Sequence, residues 1–120
     1  MFKKYCFISE LDKEYIKSLD NKITIIFRNY DTKYNLKKLK LVLSFCHLLG
    51  KKIILANNPK IALKFKFDGV YIPAFNKKIY YNLLRPKNNF DVLGSAHNLK
   101  EIRLKEKQGV QIIFLSPLFK

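Results

Sequence analysis

The chain has 120 residues, which sets one domain as the expectation and nearly excludes two full ones. Its composition, 48% hydrophobic and 28% charged, is that of a globular protein and excludes a disordered chain. Twenty-four Lys+Arg against 9 Asp+Glu leave a formal charge of +15, which suits a polyanionic partner such as nucleic acid or a phosphorylated metabolite.

The charge has a second reading. All the basic residues except Arg28, Arg85 and Arg103 are lysines, and Lys, Ile, Asn, Phe and Tyr make up about half the chain. These are the residues of A/T-rich codons. The lysines are scattered in short pairs such as 3–4, 37–38, 51–52 and 77–78 instead of forming one arm. Compositional bias therefore accounts for the excess better than a nucleic-acid surface does, since a charge total alone locates no footprint.

In chain order, the first strand is expected at Tyr5–Ile8 (YCFI) and a helix follows, with Leu11, Tyr15, Ile16 and Leu19 on one face. Ile23–Phe27 (ITIIF) reads as the second strand. Leu36–Leu49 is an amphipathic helix stopped by Gly50. Lys52–Ala56 is the third strand, and Asn58-Pro59 opens the next helix with Pro at its first position. Gly69–Ile72 (GVYI) is the fourth strand, followed by a weaker helix over Lys77–Leu84 before Arg85-Pro86. Phe90–Gly94 is the fifth strand. Asn98-Leu99-Lys100-Glu101 has capping-box spacing for a helix running to Gln108 and stopped by Gly109, and Gln111–Leu115 closes the series.

Six strands thus alternate with five helices, and no linker divides them. Most strand runs are continuously apolar, the mark of strands buried on both faces of a parallel sheet. Two α/β architectures fit: a doubly wound sheet, or part of a (β/α)₈ barrel. The chain is long enough for six units but not for eight.

Cys6 and Cys46 lie in apolar settings without a C-x-x-C motif, so buried free thiols in a reducing cytosol are expected. Met1-Phe2-Lys3-Lys4 leads directly into the first strand, with no secretory leader apparent. No apolar run is long enough to span a bilayer. A cytoplasmic location follows as the expectation.

In either architecture the C-terminal ends of the strands carry function. The residues there are Ser9, Glu10, Arg28, Asn29, Asn57, Asn58, Asn76, Ser95, His97 and Ser116. Asn58 and Asn98 read as helix caps. Arg28 ends an apolar strand and suits bidentate phosphate contact, or else an ion pair with Asp31 or Glu10. His97, just before a helix start, could move a proton or bind an anion, or hydrogen-bond to loop backbone. His47, mid-helix beside Cys46, reads as packing. No zinc spacing, P-loop or G-x-G-x-x-G occurs, and no carboxylate pair stands at the strand ends, so the residues themselves mark no metal site.

The order and content of these strand ends resemble thiamine phosphate synthase and its thiazole tautomerase relatives, from about Tyr5 to the last residue. KIILANNPKIALKFKFDGVYI resembles the family's P-L-I-V-N-D…A-L…G-A-D-G-V-H-L segment. GSAHNLKEIRLKEKQGVQIIFLSPLF resembles its S-x-H-S-L-E-E…G-A-D-Y-I-x-x-G-P-V-F segment. The resemblance implies a (β/α)₈ barrel that joins an aminopyrimidine diphosphate to a thiazole phosphate and releases pyrophosphate, with Mg²⁺. It implies phosphorylated small molecules as substrates. Arg28 corresponds to the Arg of the family's Q-x-R-E-K strand end and Ser95 to the Ser of its S-x-H loop, both diphosphate contacts. His97 corresponds to that loop's His, associated with proton transfer in the tautomerase branch. Ser116-Pro117-Leu118-Phe119 corresponds to G-P-V-F. Ser95 and His97 are thus the expected catalytic residues, and Arg28, Asn57, Asn76 and Ser116 the expected substrate-binding ones.

Departures from the pattern are equally specific. Ile26, Asn29 and Tyr30 replace the Gln, Glu and Lys around the Arg. Asn57 and Asn76 stand at the two Mg²⁺-ligating Asp positions, and a neutral amide oxygen binds that ion far more weakly than a carboxylate. The chain ends at Lys120, before the family's phosphate loop and its last two βα units. Residues 1–120 are therefore expected to be one incomplete barrel domain, either a piece of a longer protein or one whose open edges another copy covers. The non-synthase alternatives are a tautomerase-like enzyme, a phosphate-ligand binding protein and, more remotely, a basic nucleic-acid module.

Overall fold

A computed structural model describes residues 3–29, 35–81 and 88–115. The strands are β1 (Lys4–Ile8), β2 (Ile23–Phe27), β3 (Ile53–Ala56), β4 (Gly69–Ile72), β5 (Asp91–Ala96) and β6 (Ile112–Leu115). The helices are α1 (Lys13–Ser18), α2 (Leu36–Leu48), α3 (Pro59–Lys64) and α4 (Leu99–Lys107). All neighbouring strands pair in parallel, in the sequential order β1-β2-β3-β4-β5-β6. A doubly wound sheet reverses its order at a switch point. The unbroken order selects the barrel alternative.

The sheet is curled. Laid flat, five strand spacings of about 4.8 Å would separate β1 from β6 by about 24 Å. Instead the rings of Tyr5 on β1 and Phe114 on β6 lie 5.1 Å apart, and those of Phe7 and Phe114 6.3 Å apart. Six parallel strands thus form a half-barrel whose inner face closes on aromatic side chains.

Alternation along each strand supplies two cores. Ile25, Phe27, Ile53, Leu55, Val70, Ile72 and Val92 face outward and pack with Leu39, Val42 and Cys46 of α2 and Ala62 of α3. Ile26, Ile54, Ala56, Tyr71 and Leu93 face inward, joined by Tyr5, Ile112 and Phe114. Both faces of the central strands β3 and β4 are buried, which is why they read as continuously apolar, whereas β1 and β6 at the sheet edges are only partly covered.

The helix ends follow local chemistry. Asp12, Asn35, Asn58 and Asn98 cap α1, α2, α3 and α4 by accepting first-turn amide N–H groups. Pro59 opens α3 as expected. Gly50 and Gly109 follow α2 and α4 at φ 74° and 86°, in the left-handed region where glycine is unhindered.

Three expectations need correction. Residues 77–80 are not helical, and 82–84 lie outside the described residues. The Asn76 carbonyl that would begin that helix instead accepts from Lys105 Nζ at 3.0 Å and Gln108 Nε2 at 2.8 Å, and Gln108 also donates to the Lys78 carbonyl. Four helices, not five, therefore stand among the described residues. His47 is not a packing residue: its Nε2 meets Asp68 Oδ2 at 2.8 Å, and that oxygen also accepts from Ile53 N at 2.8 Å. Cys46 is buried, and burial pushes its thiol up to about 11, but Cys6 is only half-buried and lies 3.2 Å from the Tyr15 hydroxyl. No helix among the described residues is long and apolar enough to cross a membrane.

Candidate functional site

The rim at the C-terminal strand ends collects most of the expected site residues. Arg28 directly follows β2. Its guanidinium stacks 4.0 Å from the centre of the Phe7 ring, a cation–π contact that holds an exposed cation over the mouth of the inner face. Of the two expected ion-pair partners, Glu10 pairs with Lys38 at 3.1 Å instead, and Asp31 lies outside the described residues.

From Phe7 the contacts run inward. Its ring meets Tyr71 edge-on at 5.2 Å. The Tyr71 hydroxyl lies 2.6 Å from Ser95 Oγ, and both residues are buried. β5 extends to Ala96, so Ser95 sits within the strand and points inward instead of standing on a loop beyond it. Two hydroxyls that share one hydrogen bond leave one O–H able to donate elsewhere. An unbroken chain, Arg28–Phe7–Tyr71–Ser95, thus links the surface cation to an interior hydroxyl pair.

A second constellation lies beside the first. Asn57 directly follows β3 at φ 65°, a left-handed conformation that asparagine tolerates better than most residues. Its N–H donates to the Tyr71 carbonyl at 2.7 Å. Its side-chain Oδ1 accepts from Asn76 Nδ2 at 2.7 Å, so the two amides are bonded to each other. Asn76 Nδ2 also donates to the Tyr80 hydroxyl at 2.9 Å, and Asn76 Oδ1 accepts from Lys78 N at 2.9 Å.

His97 follows β5, two residues beyond Ser95, and is half-buried; its backbone N–H donates to Glu101 Oε1 at 2.7 Å within the cap of α4. Ser116 lies outside the described residues.

The donor set does not fit Mg²⁺. The two positions offer only neutral amide oxygens, each already accepting a hydrogen bond. Among the described residues no group of three His, Cys, Asp or Glu could hold a metal ion.

Sequence reasoning missed Tyr71, Phe7 and Lys105. The first two carried a usable signal: each is an aromatic at an inward position of its strand. Lys105 carried none, being one lysine among many on a helix. It is fully buried, with Nζ donating to Gln108 Oε1 at 2.8 Å and to the Asn76 carbonyl. Burial holds its ammonium below the ordinary 10.5, with Glu101 opposing the shift. A lowered value means the unfolded chain binds a proton that the folded chain has released, so stability rises with pH between the lowered value and 10.5. Chemical denaturation of the protein beside Lys105→Met across alkaline pH checks this: the rise is expected in the parent and reduced in the variant.

No known family profile matches the chain. Over 73 residues it is 38% identical to the curated protein named "Putative thiamine-phosphate synthase 2" of Aquifex aeolicus (strain VF5). The match covers 58% of this chain and 38% of that protein, so the chain spans well under half the relative's length. It supports a relationship over that stretch.

Proposed function

We propose that the chain is the substrate-binding part of a thiamine-phosphate-synthase-like barrel, which takes a phosphorylated heterocycle at the C-terminal rim. The observation that carries the reading is the contact chain Arg28–Phe7–Tyr71–Ser95, which joins an exposed guanidinium to a buried hydroxyl pair across an aromatic inner face. The partial match to a synthase in the curated relative supports it.

In the reaction this implies, the C–O bond between the aminopyrimidine methylene and its diphosphate breaks. The thiazole nitrogen forms the new C–N bond, and pyrophosphate leaves with the electron pair. Arg28 offsets charge on the departing diphosphate, and the Tyr71–Ser95 pair donates its remaining O–H to a diphosphate oxygen. An aromatic π face among Phe7, Tyr71 and Phe114 would offset the charge of the pyrimidine methylene cation. His97 would transfer the proton if the chain follows the tautomerase branch.

The test is pyrophosphate release from the aminopyrimidine diphosphate in the presence of thiazole phosphate. Turnover is expected from a protein that completes the barrel, and Ser95→Ala there should lower kcat by about a hundredfold, the usual effect of removing one donor to a developing charge. Unchanged turnover in that variant would sink the role given to Ser95. A second reading, a phosphate-ligand binding protein without synthase activity, is favoured by the Asn57–Asn76 amide pair. Pyrophosphate binding without turnover would select it.

A further inference from the structure

Resting on the phosphate-ligand reading, we infer that this rim takes its anionic ligand without a divalent cation, with Lys105 supplying a fixed positive charge from inside the protein. Two carboxylates in hydrogen-bond contact repel and call for a cation between them. Two amides in the same contact satisfy each other, as Asn76 Nδ2 and Asn57 Oδ1 do at 2.7 Å. The remaining amide groups of Asn76 are met by Tyr80 and Lys78, so the pair coheres within the protein.

The Asn76 carbonyl is held from behind. Lys105 Nζ and Gln108 Nε2 both donate to it, at 3.0 and 2.8 Å, and Lys105 also donates to Gln108 Oε1 at 2.8 Å. Lys105 and Gln108 are both fully buried. An ammonium so placed is expensive to bury and has only carbonyl-type acceptors in contact, so it is weak as a stability device. Set against Asn76, it attracts a ligand's negative charge and repels a second cation at the same rim. Its stem also crosses Gly94 on β5: a Cβ at Gly94 would lie 3.0 Å from Lys105 Cδ, so the strand leaves room for this side chain.

Thermal unfolding in EDTA and in millimolar Mg²⁺, with no ligand, compares the protein with the double variant Asn57→Asp/Asn76→Asp. The parent Tm is expected to be the same in both buffers. The double variant is expected to lose about 4 °C or more in EDTA, as for a destabilisation near one kcal/mol in a domain of this size, and to recover in Mg²⁺. A parent Tm that rises by several degrees with Mg²⁺ would overturn the inference, as would a variant indifferent to the ion. Should the double variant not fold, Asn76→Asp alone in the same two buffers answers the question. Calorimetry with pyrophosphate adds the ligand: binding by the parent in EDTA is expected, and binding only when Mg²⁺ is added contradicts the inference. Failure to bind in either buffer counts against the phosphate-ligand reading itself, while the ligand-free Tm comparison still decides the metal question.

Discussion

Gly69→Ala is expected to destabilise the fold by roughly 3 kcal/mol or more, at the upper end of overpacking effects. Gly69 opens β4 and pairs with Asp91 of β5. A Cβ there would collide with the backbone carbonyl of Asp91. That carbonyl cannot easily retreat, because Asp91 is fixed by the β4–β5 ladder and by its own N–H to the Asp68 carbonyl at 2.9 Å. Asp68 is itself tied to β3 through Ile53 N and to α2 through His47. The D-G-V segment is therefore a junction of three elements at the rim opposite the site. Gly50→Ala is the matched control: it has open space around a would-be Cβ but φ 74°, so it should cost only about 1–2 kcal/mol, the left-handed penalty alone. Equal losses in denaturant titrations of the two variants would contradict the steric account of Gly69.

The second large effect concerns the ligand. Arg28→Ala should weaken pyrophosphate binding by about tenfold to a hundredfold, the equivalent of one charge-assisted contact worth roughly 1.5–3 kcal/mol. The loss should exceed that in Lys22→Ala, which removes the same charge beside the N-terminal end of β2, away from the rim. Surface lysines contribute mainly long-range attraction that salt screens. If both variants weaken binding alike, and salt abolishes the remainder, the +15 charge and not the rim would be holding the anion.

Local features were legible in the sequence because their causes are local. Asn58 and Asn98 stand three residues before the N–H groups that they accept, and Gly50 and Gly109 stop helices by their own backbone freedom. The apolar runs announced burial on both faces for β3 and β4, but not for the edge strands β1 and β6. Strand order was not legible in the β-α alternation itself, which serves a doubly wound sheet and a barrel alike; only the resemblance pointed to the barrel that the sequential order bears out. The site was legible only in outline. Placing Arg28, Asn57, Asn76, Ser95 and His97 at strand ends needs only the strand boundaries. The Tyr71–Ser95 hydroxyl pair depends on how β4 aligns with β5, and the Asn57–Asn76 bond on β3 lying beside β4. The unformed helix over residues 77–80 has the same origin. Lys105 and Gln108, some thirty positions away, take carbonyls that local propensity assigned to a first helical turn.

The most direct test of the rim as the binding site is a pyrophosphate titration of isotope-labelled protein followed by amide and side-chain NMR shifts. Saturable shifts are expected, centred on Arg28, Asn57, Tyr71, Asn76, Ser95 and His97, with the Asn57 and Asn76 side-chain amides among the largest. Shifts spread over the scattered lysines, or centred on the basic face of α4 around Lys100, Arg103 and Lys107, would contradict it.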